Sequence, residues 1–161
     1  PIQFVQAIER AGAANPEITG LLAGDGPLRP QLERMQLDSL RLLGDRRDIK
    51  RLLAASDVFV LPSLWEGLSY AVLEAMALGK ATLVSDGPGN PDAVGDAGLI
   101  FPAGDVSRMA ASLSRLSGDP ALRRSLGEEA MRRARERFSL TQMMEATARV
   151  YERALRRGTG A

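Results

Sequence analysis

Five short apolar runs, separated by turns and helical segments of about ten residues, constrain this chain most. They fall at residues 17–23, 40–43, 58–61, 81–84 and 98–101. Apart from Glu17, Thr19, Arg41 and Thr82, each is apolar rather than alternating, as expected of strands covered on both faces. Between them, apolar residues recur at helical spacing over residues 2–13, 28–37, 48–55 and 69–78. Pro30 falls in a first turn, where its missing N–H costs little, and Gly12 and Gly79 mark helix ends. Asp48 stands where an N-cap or first-turn acid is expected. Strands alternating with helices predict an α/β fold built on a doubly wound parallel sheet. From Asp105 onward the pattern is helical, over 105–117, 120–136 and 140–157, with residues 158–161 expected to fray.

A length of 161 residues suits one domain with a helical tail. The chain has no Cys and no His. Disulfides, thiolate or imidazole metal sites, cysteine nucleophiles and His-dependent triads are therefore excluded. The absence of Cys is compatible with the cytosol. Residues 1–120 hold 11 Lys+Arg against 15 Asp+Glu, whereas residues 121–161 hold 10 against 5. The basic excess thus sits in the tail. It reads either as the solvated face of amphipathic helices or as a surface for anionic lipid or an acidic neighbour. Nothing in the charge pattern points to nucleic acid.

Doubly wound sheets bind ligands beyond the carboxyl ends of their strands. That directs attention to residues 24–27, 44–48, 62–69, 85–92 and 102–105. The loop Pro62-Ser63-Leu64-Trp65-Glu66-Gly67-Leu68-Ser69 carries the only Trp, an acid and a Gly before a helix. With the helix starting near Ser69, the amides of Gly67, Leu68, Ser69 and Tyr70 point out of its N-terminus and offer an anion site suited to phosphate. The alternative is a capped turn that binds nothing. Glu74 lies within the apolar stretch Ala71-Val72-Leu73-Glu74-Ala75-Met76-Ala77. It sits either on a narrow exposed stripe or buried with a partner, since an unpaired buried carboxylate is costly. Glu66 and Glu74 flank the anion site, an arrangement suited to a diphosphate with hydroxyls on both sides.

The run PSLWEGLSYAVLEAMALGKATLVSD resembles the signature of family 4 retaining glycosyltransferases of the GT-B fold, two Glu separated by seven residues and followed by Ala-Met-Ala and Gly. LLAGDGPLRPQLE, LLGDRRDIKRLLAASDVFVLPS, GNPDAVGDAGLIFPAGD and FSLTQMMEATARVYERAL fit in order, so the resemblance covers nearly the whole chain. It implies the C-terminal, donor-binding half of a retaining hexosyltransferase: a Rossmann-like domain over residues 1–136 and a C-terminal crossover helix with its end over 137–161. Glu74 resembles the acid that bonds the ribose hydroxyls, and Glu66 the catalytic acid facing the donor hexose. Gly67, Leu68 and Ser69 match the backbone that meets sugar and diphosphate. Arg46, Arg47 and Asp48 match the loop whose backbone reads the base, and Gly24 and Gly26 the loop after the family's second strand. The implied ligand is a nucleotide diphosphate sugar, with no cofactor and no metal required. The implied acceptor is held by an N-terminal domain absent from this sequence. The expected location is cytoplasmic, with peripheral contact at the inner membrane face as the lipid reading of the tail. A free-standing nucleotide- or sugar-binding module and a sugar-nucleotide epimerase relative are the alternatives.

Two departures stand out. Pro91-Asp92 takes the place of the family's Pro-Glu. The family's opening strand, with its Gly-Arg and Lys-Gly pairs, has no counterpart, and the only lysines are Lys50 and Lys80. This portion alone is therefore expected to be inactive. With a family strand order of 3-2-1-4-5-6, the strand lacking a counterpart is central. Its absence predicts a gap of about 9.6 Å between the strands at 17–23 and 58–61, because strands pair about 4.8 Å apart. The last helix, at 140–157, carries an apolar stripe (Leu140, Met143, Met144, Thr147, Val150, Tyr151, Leu155) expected to be at least partly exposed.

Overall fold

The structure, a computed structural model, describes residues 1–158. Residues 159–161, within the stretch expected to fray, lie outside the described residues. Helix α1 (Ile2–Ala14) is followed by β1 (Gly20–Ala23), α2 (Arg29–Arg34), β2 (Leu40–Gly44), α3 (Ile49–Ala55), β3 (Val58–Leu61), α4 (Tyr70–Ala77) and β4 (Ala81–Ser85). A short α5 (Asn90–Val94) and a 3-10 turn lead into β5 (Gly98–Phe101), and α6 (Val106–Gly118), α7 (Pro120–Arg137) and α8 (Leu140–Gly158) complete the order.

All strand pairs are parallel, as the continuous apolar runs require. They form two sheets: β1 pairs with β2, and β3, β4 and β5 pair in that order. No ladder joins β1 to β3. Between them lies an open slot of about 1260 Å³, lined along its length by Gly20, Leu21 and Leu22 of β1 and by Val58, Phe59 and Val60 of β3. The expected central gap is present. Its effect is visible in burial: β4, flanked on both sides, is buried at all five residues, whereas the equally apolar β3 is only half-buried.

Two cores hold the sheets. In the first, α1 and α6 pack together, and Phe4, Val5, Ile8 and Ala11 of α1 meet Leu40, Leu83, Phe101, Met109 and Leu113. This core reaches residues of both sheets and so bridges the slot on one face. In the second, α4, α5 and α7 cover the other face of the three-stranded sheet through Val72, Met76, Val84, Val94 and Ala130. Lys80 donates to the carbonyls of Ala54 and Ser56 (2.6 and 3.0 Å), tying the end of α3 to the start of β4.

Several boundaries differ from the sequence reading. The strand expected over 17–23 begins only at Gly20, because Asn15 captures the amides of Glu17 and Ile18 in a turn. The helix expected over 28–37 ends at Arg34, where the Met35 amide closes on Leu32 and Gln36 adopts φ +46°. Helix α5 is absent from the sequence reading: five residues beginning Asn-Pro after a Gly-Pro-Gly turn read as loop. Asp48 occupies the N-cap position of α3, but its side chain makes no cap bond. Helix α8 is capped by a reciprocal pair, the Gln142 amide donating to Ser139 Oγ and the Ser139 amide to Gln142 Oε1. Its whole apolar stripe is exposed, from Leu140 to Leu155. Among the described residues no helix is long and apolar enough to cross a membrane.

Candidate functional site

The loops at the carboxyl ends of the strands gather into two groups. In the first, the loops after β1 and β2 meet. The Gly24 amide donates to the Gly44 carbonyl at 2.8 Å. Gly24 has φ +120° with open space where a Cβ would stand, so the position calls for glycine for its backbone rather than for a close neighbour. Gly26 is also open, and its amide is taken by Asp25 Oδ1 at 2.7 Å. The sequence reading did not single out Arg29. Its guanidinium lies between these loops, bonded to Asp25 and Glu33 and close against Gly44.

The loop 45–48 is organised by its own charges. Arg46 donates twice to the Asp48 carboxylate, at 2.8 and 2.7 Å. That pairing explains why Asp48 does not cap α3. Hydrogen bonds from Arg46 hold the Asp48 carboxyl below its ordinary range, and Asp48 raises Arg46 in return. These two side chains are thus occupied by each other. Arg47 is exposed.

The second group joins the loop after β3 to the loop after β4. Ser69 stands at the N-cap of α4 with its side chain unused as a cap, so the first amides of the helix have no side-chain partner. This end of the helix is therefore open rather than self-capped. Trp65 and Tyr70 are 79% and 78% exposed beside it, with Leu64 and Leu68 also exposed. Glu66 is half-buried: its Oε1 accepts from Ser63 Oγ at 2.8 Å and its amide donates to the Pro88 carbonyl at 3.3 Å.

Of the two positions left open for Glu74, the structure shows the exposed one. Helix α4 buries Val72, Ala75 and Met76, and Glu74 lies on the opposite side, exposed. Among the described residues no side chain holds it in a hydrogen bond or ion pair. One helical turn from the N-terminus, about 6 Å along the axis, it is available to a ligand seated there. The large slot takes in Ser63 and Leu64 but not Glu66, Gly67, Leu68, Ser69 or Glu74. The slot also takes in Ala71, in the first turn of α4, so it opens beside the N-terminus of that helix.

What holds the second group together escaped the sequence reading. Gly89 presses on the loop of Glu66. A Cβ there would stand 1.6 Å from the Gly67 carbonyl oxygen, and its φ of +86° with ψ −34° is glycine territory. Ser85 and Asn90 are both buried and bond one another, and Ser85 Oγ donates to the Ser63 carbonyl. Only the Gly-Pro-Gly turn and a polar residue ahead of an apolar Ala-Val pair hinted at this. Pro91 lies in the first turn of α5, and Asp92 is exposed, its carbonyl accepting from Arg133 at 2.8 Å.

Comparison with known proteins bears on the family and the fold. The model of the family described as glycosyl transferases group 1 matches residues 2–119. The chain is 37% identical over 132 residues to the UDP-Gal:alpha-D-GlcNAc-diphosphoundecaprenol alpha-1,3-galactosyltransferase of Escherichia coli, covering 76% of this chain and 34% of that protein. It is 40% identical over 114 residues to the MMP alpha-(1->4)-mannosyltransferase of Mycolicibacterium hassiacum, covering 68% and 28% respectively. The chain thus spans about a third of the length of these curated relatives. Its backbone superposes on HepE of Anabaena, solved in complex with UDP, with a TM-score of 0.84 at 22% identity, over 94% of this chain and 44% of that one. That likeness bears on the fold alone, and agrees with the Rossmann-like α/β architecture. The match over residues 2–119, together with these relatives, shows that the chain belongs to the group 1 glycosyl transferase family.

Proposed function

We propose that this chain is the donor-binding half of a retaining hexosyltransferase, seating a nucleotide diphosphate sugar whose sugar passes to an acceptor hydroxyl. The observation that carries the reading is the uncapped N-terminus of α4, with Glu66 before it and the unpaired Glu74 one turn inside. Helix-end amides stabilise the charge that grows on a diphosphate leaving group. Glu74 accepts from the ribose hydroxyls, and Glu66 faces the hexose. The backbone of Gly67, Leu68 and Ser69 meets the sugar and diphosphate. The backbone of Arg46, Arg47 and Asp48 meets the base, with Gly24 and Gly26 lining the adjoining loop. The relatives named above carry galactosyl- and mannosyltransferase names, and HepE was solved with UDP, which supports a nucleotide-linked hexose as donor.

On this reading a strand outside this sequence fills the slot between β1 and β3 and brings the cations for the diphosphate, and a second domain supplies the acceptor site. Helix α8, within residues 137–161, crosses toward that domain with its exposed stripe. The work is placed in the cytoplasm, with the basic tail facing the inner surface of the membrane. The test is a pair of variants in a transferase carrying this domain with its acceptor-binding half. Glu74→Ala should weaken nucleoside diphosphate binding by about 1–3 kcal/mol, the scale of a charge-assisted hydrogen bond. Glu66→Gln should lower kcat with little change in nucleotide affinity, because it acts on the transition state. Unchanged calorimetric affinity in the first variant and an unchanged rate in the second would refute the assignments.

A further inference from the structure

The lock between the loops after β3 and β4 goes beyond the roles assigned above. Ser85 ends β4, the most deeply buried strand, and is itself 0% exposed. Its hydroxyl has one proton, and that proton goes to the Ser63 carbonyl across the loop boundary. Asn90, 1% exposed, donates from Nδ2 to Ser85 Oγ at 3.1 Å. By occupying the acceptor side of the hydroxyl, Asn90 leaves Ser85 oriented to donate toward Ser63. Ser63 in turn donates from Oγ to Glu66 Oε1 at 2.8 Å. The sequence of bonds runs from a rigid central strand to the carboxylate, by way of one residue's carbonyl and hydroxyl. Two backbone approaches lie alongside it: the Glu66 amide donates to the Pro88 carbonyl, and a Cβ added at Gly87 would stand 2.8 Å from the Leu64 carbonyl oxygen.

Asn90 also carries a cost. Its Oδ1 is buried with no hydrogen-bond partner. An apolar side chain would leave no such orphan, and because the Ser85 hydroxyl keeps its bond to the Ser63 carbonyl, the change strands no buried donor. Burial and packing therefore do not account for an amide here, whereas its one bond to Ser85 does. The loop it steadies needs an anchor. It departs from β3, which borders the open slot and is only half-buried, and its outer residues Leu64, Trp65 and Leu68 are exposed.

We infer that Ser85 and Asn90 are positioning residues for Glu66, holding the Glu66 loop in register with the N-terminus of α4 through the Ser85–Ser63 bond. The inference rests on the reading of Glu66 given above, so its test includes Glu66→Gln as a reference. Rates are measured in a transferase carrying this domain with its acceptor-binding half. Loop motion is measured in the 161-residue chain by time-resolved anisotropy of Trp65, its only tryptophan, which sits in the loop itself. Ser85→Ala and Asn90→Leu should each lower kcat at least tenfold and leave the donor KM within twofold. Both should raise the amplitude of fast Trp65 motion by half or more, while Asn90→Leu keeps or raises the thermal midpoint. Should Ser85→Ala fail to fold, Asn90→Leu and Ser63→Ala carry the same expectation for kcat and loop motion. If Glu66→Gln slows turnover while the lock variants turn over normally, the inference is overturned and the reading of Glu66 stands. A looser loop with normal kcat overturns it as well. If Glu66→Gln leaves kcat unchanged, the reading of Glu66 fails and the inference falls with it.

Discussion

Replacing Gly89 with alanine tests the contact between the two site loops with a single added methyl group. The new Cβ would stand 1.6 Å from the Gly67 carbonyl oxygen, 2.7 Å from its carbon and 2.8 Å from the Glu66 carbonyl oxygen. All three are backbone atoms, so no flexible side chain can swing aside. Adding a methyl group to a packed contact costs about 1–3 kcal/mol. Holding an L-residue at positive φ adds about 1–2 kcal/mol. Together these reach about 2–5 kcal/mol, a large share of the 5–15 kcal/mol available to an ordinary domain. The chain can reduce this only by pushing the Glu66 loop outward. Urea unfolding should therefore show a lower midpoint, and Trp65 emission should change in the folded baseline, because the displaced loop carries it. An unfolding free energy within about 0.5 kcal/mol of the parent, a spread typical of neutral surface changes, together with unaltered Trp65 emission, would refute the close approach of the loops.

Two further outcomes are expected. Removing residues 143–161 deletes α8 and most of its exposed stripe, so the unfolding free energy should shift by less than about 0.5 kcal/mol while solubility rises; a loss well above that would show the stripe to be packed on the domain. Arg46→Ala should return the Asp48 carboxyl to its ordinary range in a carbon-detected titration. Because Arg46 lowers the folded value, the pair contributes stability above the unfolded pKa of Asp48, and this is lost as pH falls through the lowered folded value; an identical Asp48 midpoint in both proteins would contradict the pairing.

The strands and most helices are legible because their residues obey one period each. Val58-Phe59-Val60-Leu61 and Ala81-Thr82-Leu83-Val84 have no polar residue larger than a threonine, and both lie in parallel ladders. Gly79 ends α4 with φ +67°, as its place after an apolar helix suggested. The slot was legible from topology, since a doubly wound order without its middle strand leaves two edges facing each other. Less legible were features that depend on tertiary geometry. The apolar neighbours of Glu74 left its burial open, because α4 is covered on one side only and the residues 72, 75 and 76 select which. Asp48 looked like a cap because its position is right, but Arg46 two residues earlier captures its carboxylate. Ser85 and Asn90 carry no spacing pattern at all. Their bond to Ser63 spans 22 residues and exists only once β3 and β4 lie side by side.

The most direct test of the central claim, that the uncapped end of α4 seats the diphosphate of a sugar donor, is amide chemical-shift mapping of the 161-residue chain. UDP, GDP and ADP are titrated separately to millimolar concentration, with inorganic sulfate as the control for simple anion binding. The account predicts that at least one nucleotide moves the amides of Gly67, Leu68, Ser69 and Tyr70 together with those of residues 45–48, and that Glu74→Ala weakens this response. Shifts confined to other surfaces, or none with any nucleotide, would contradict it.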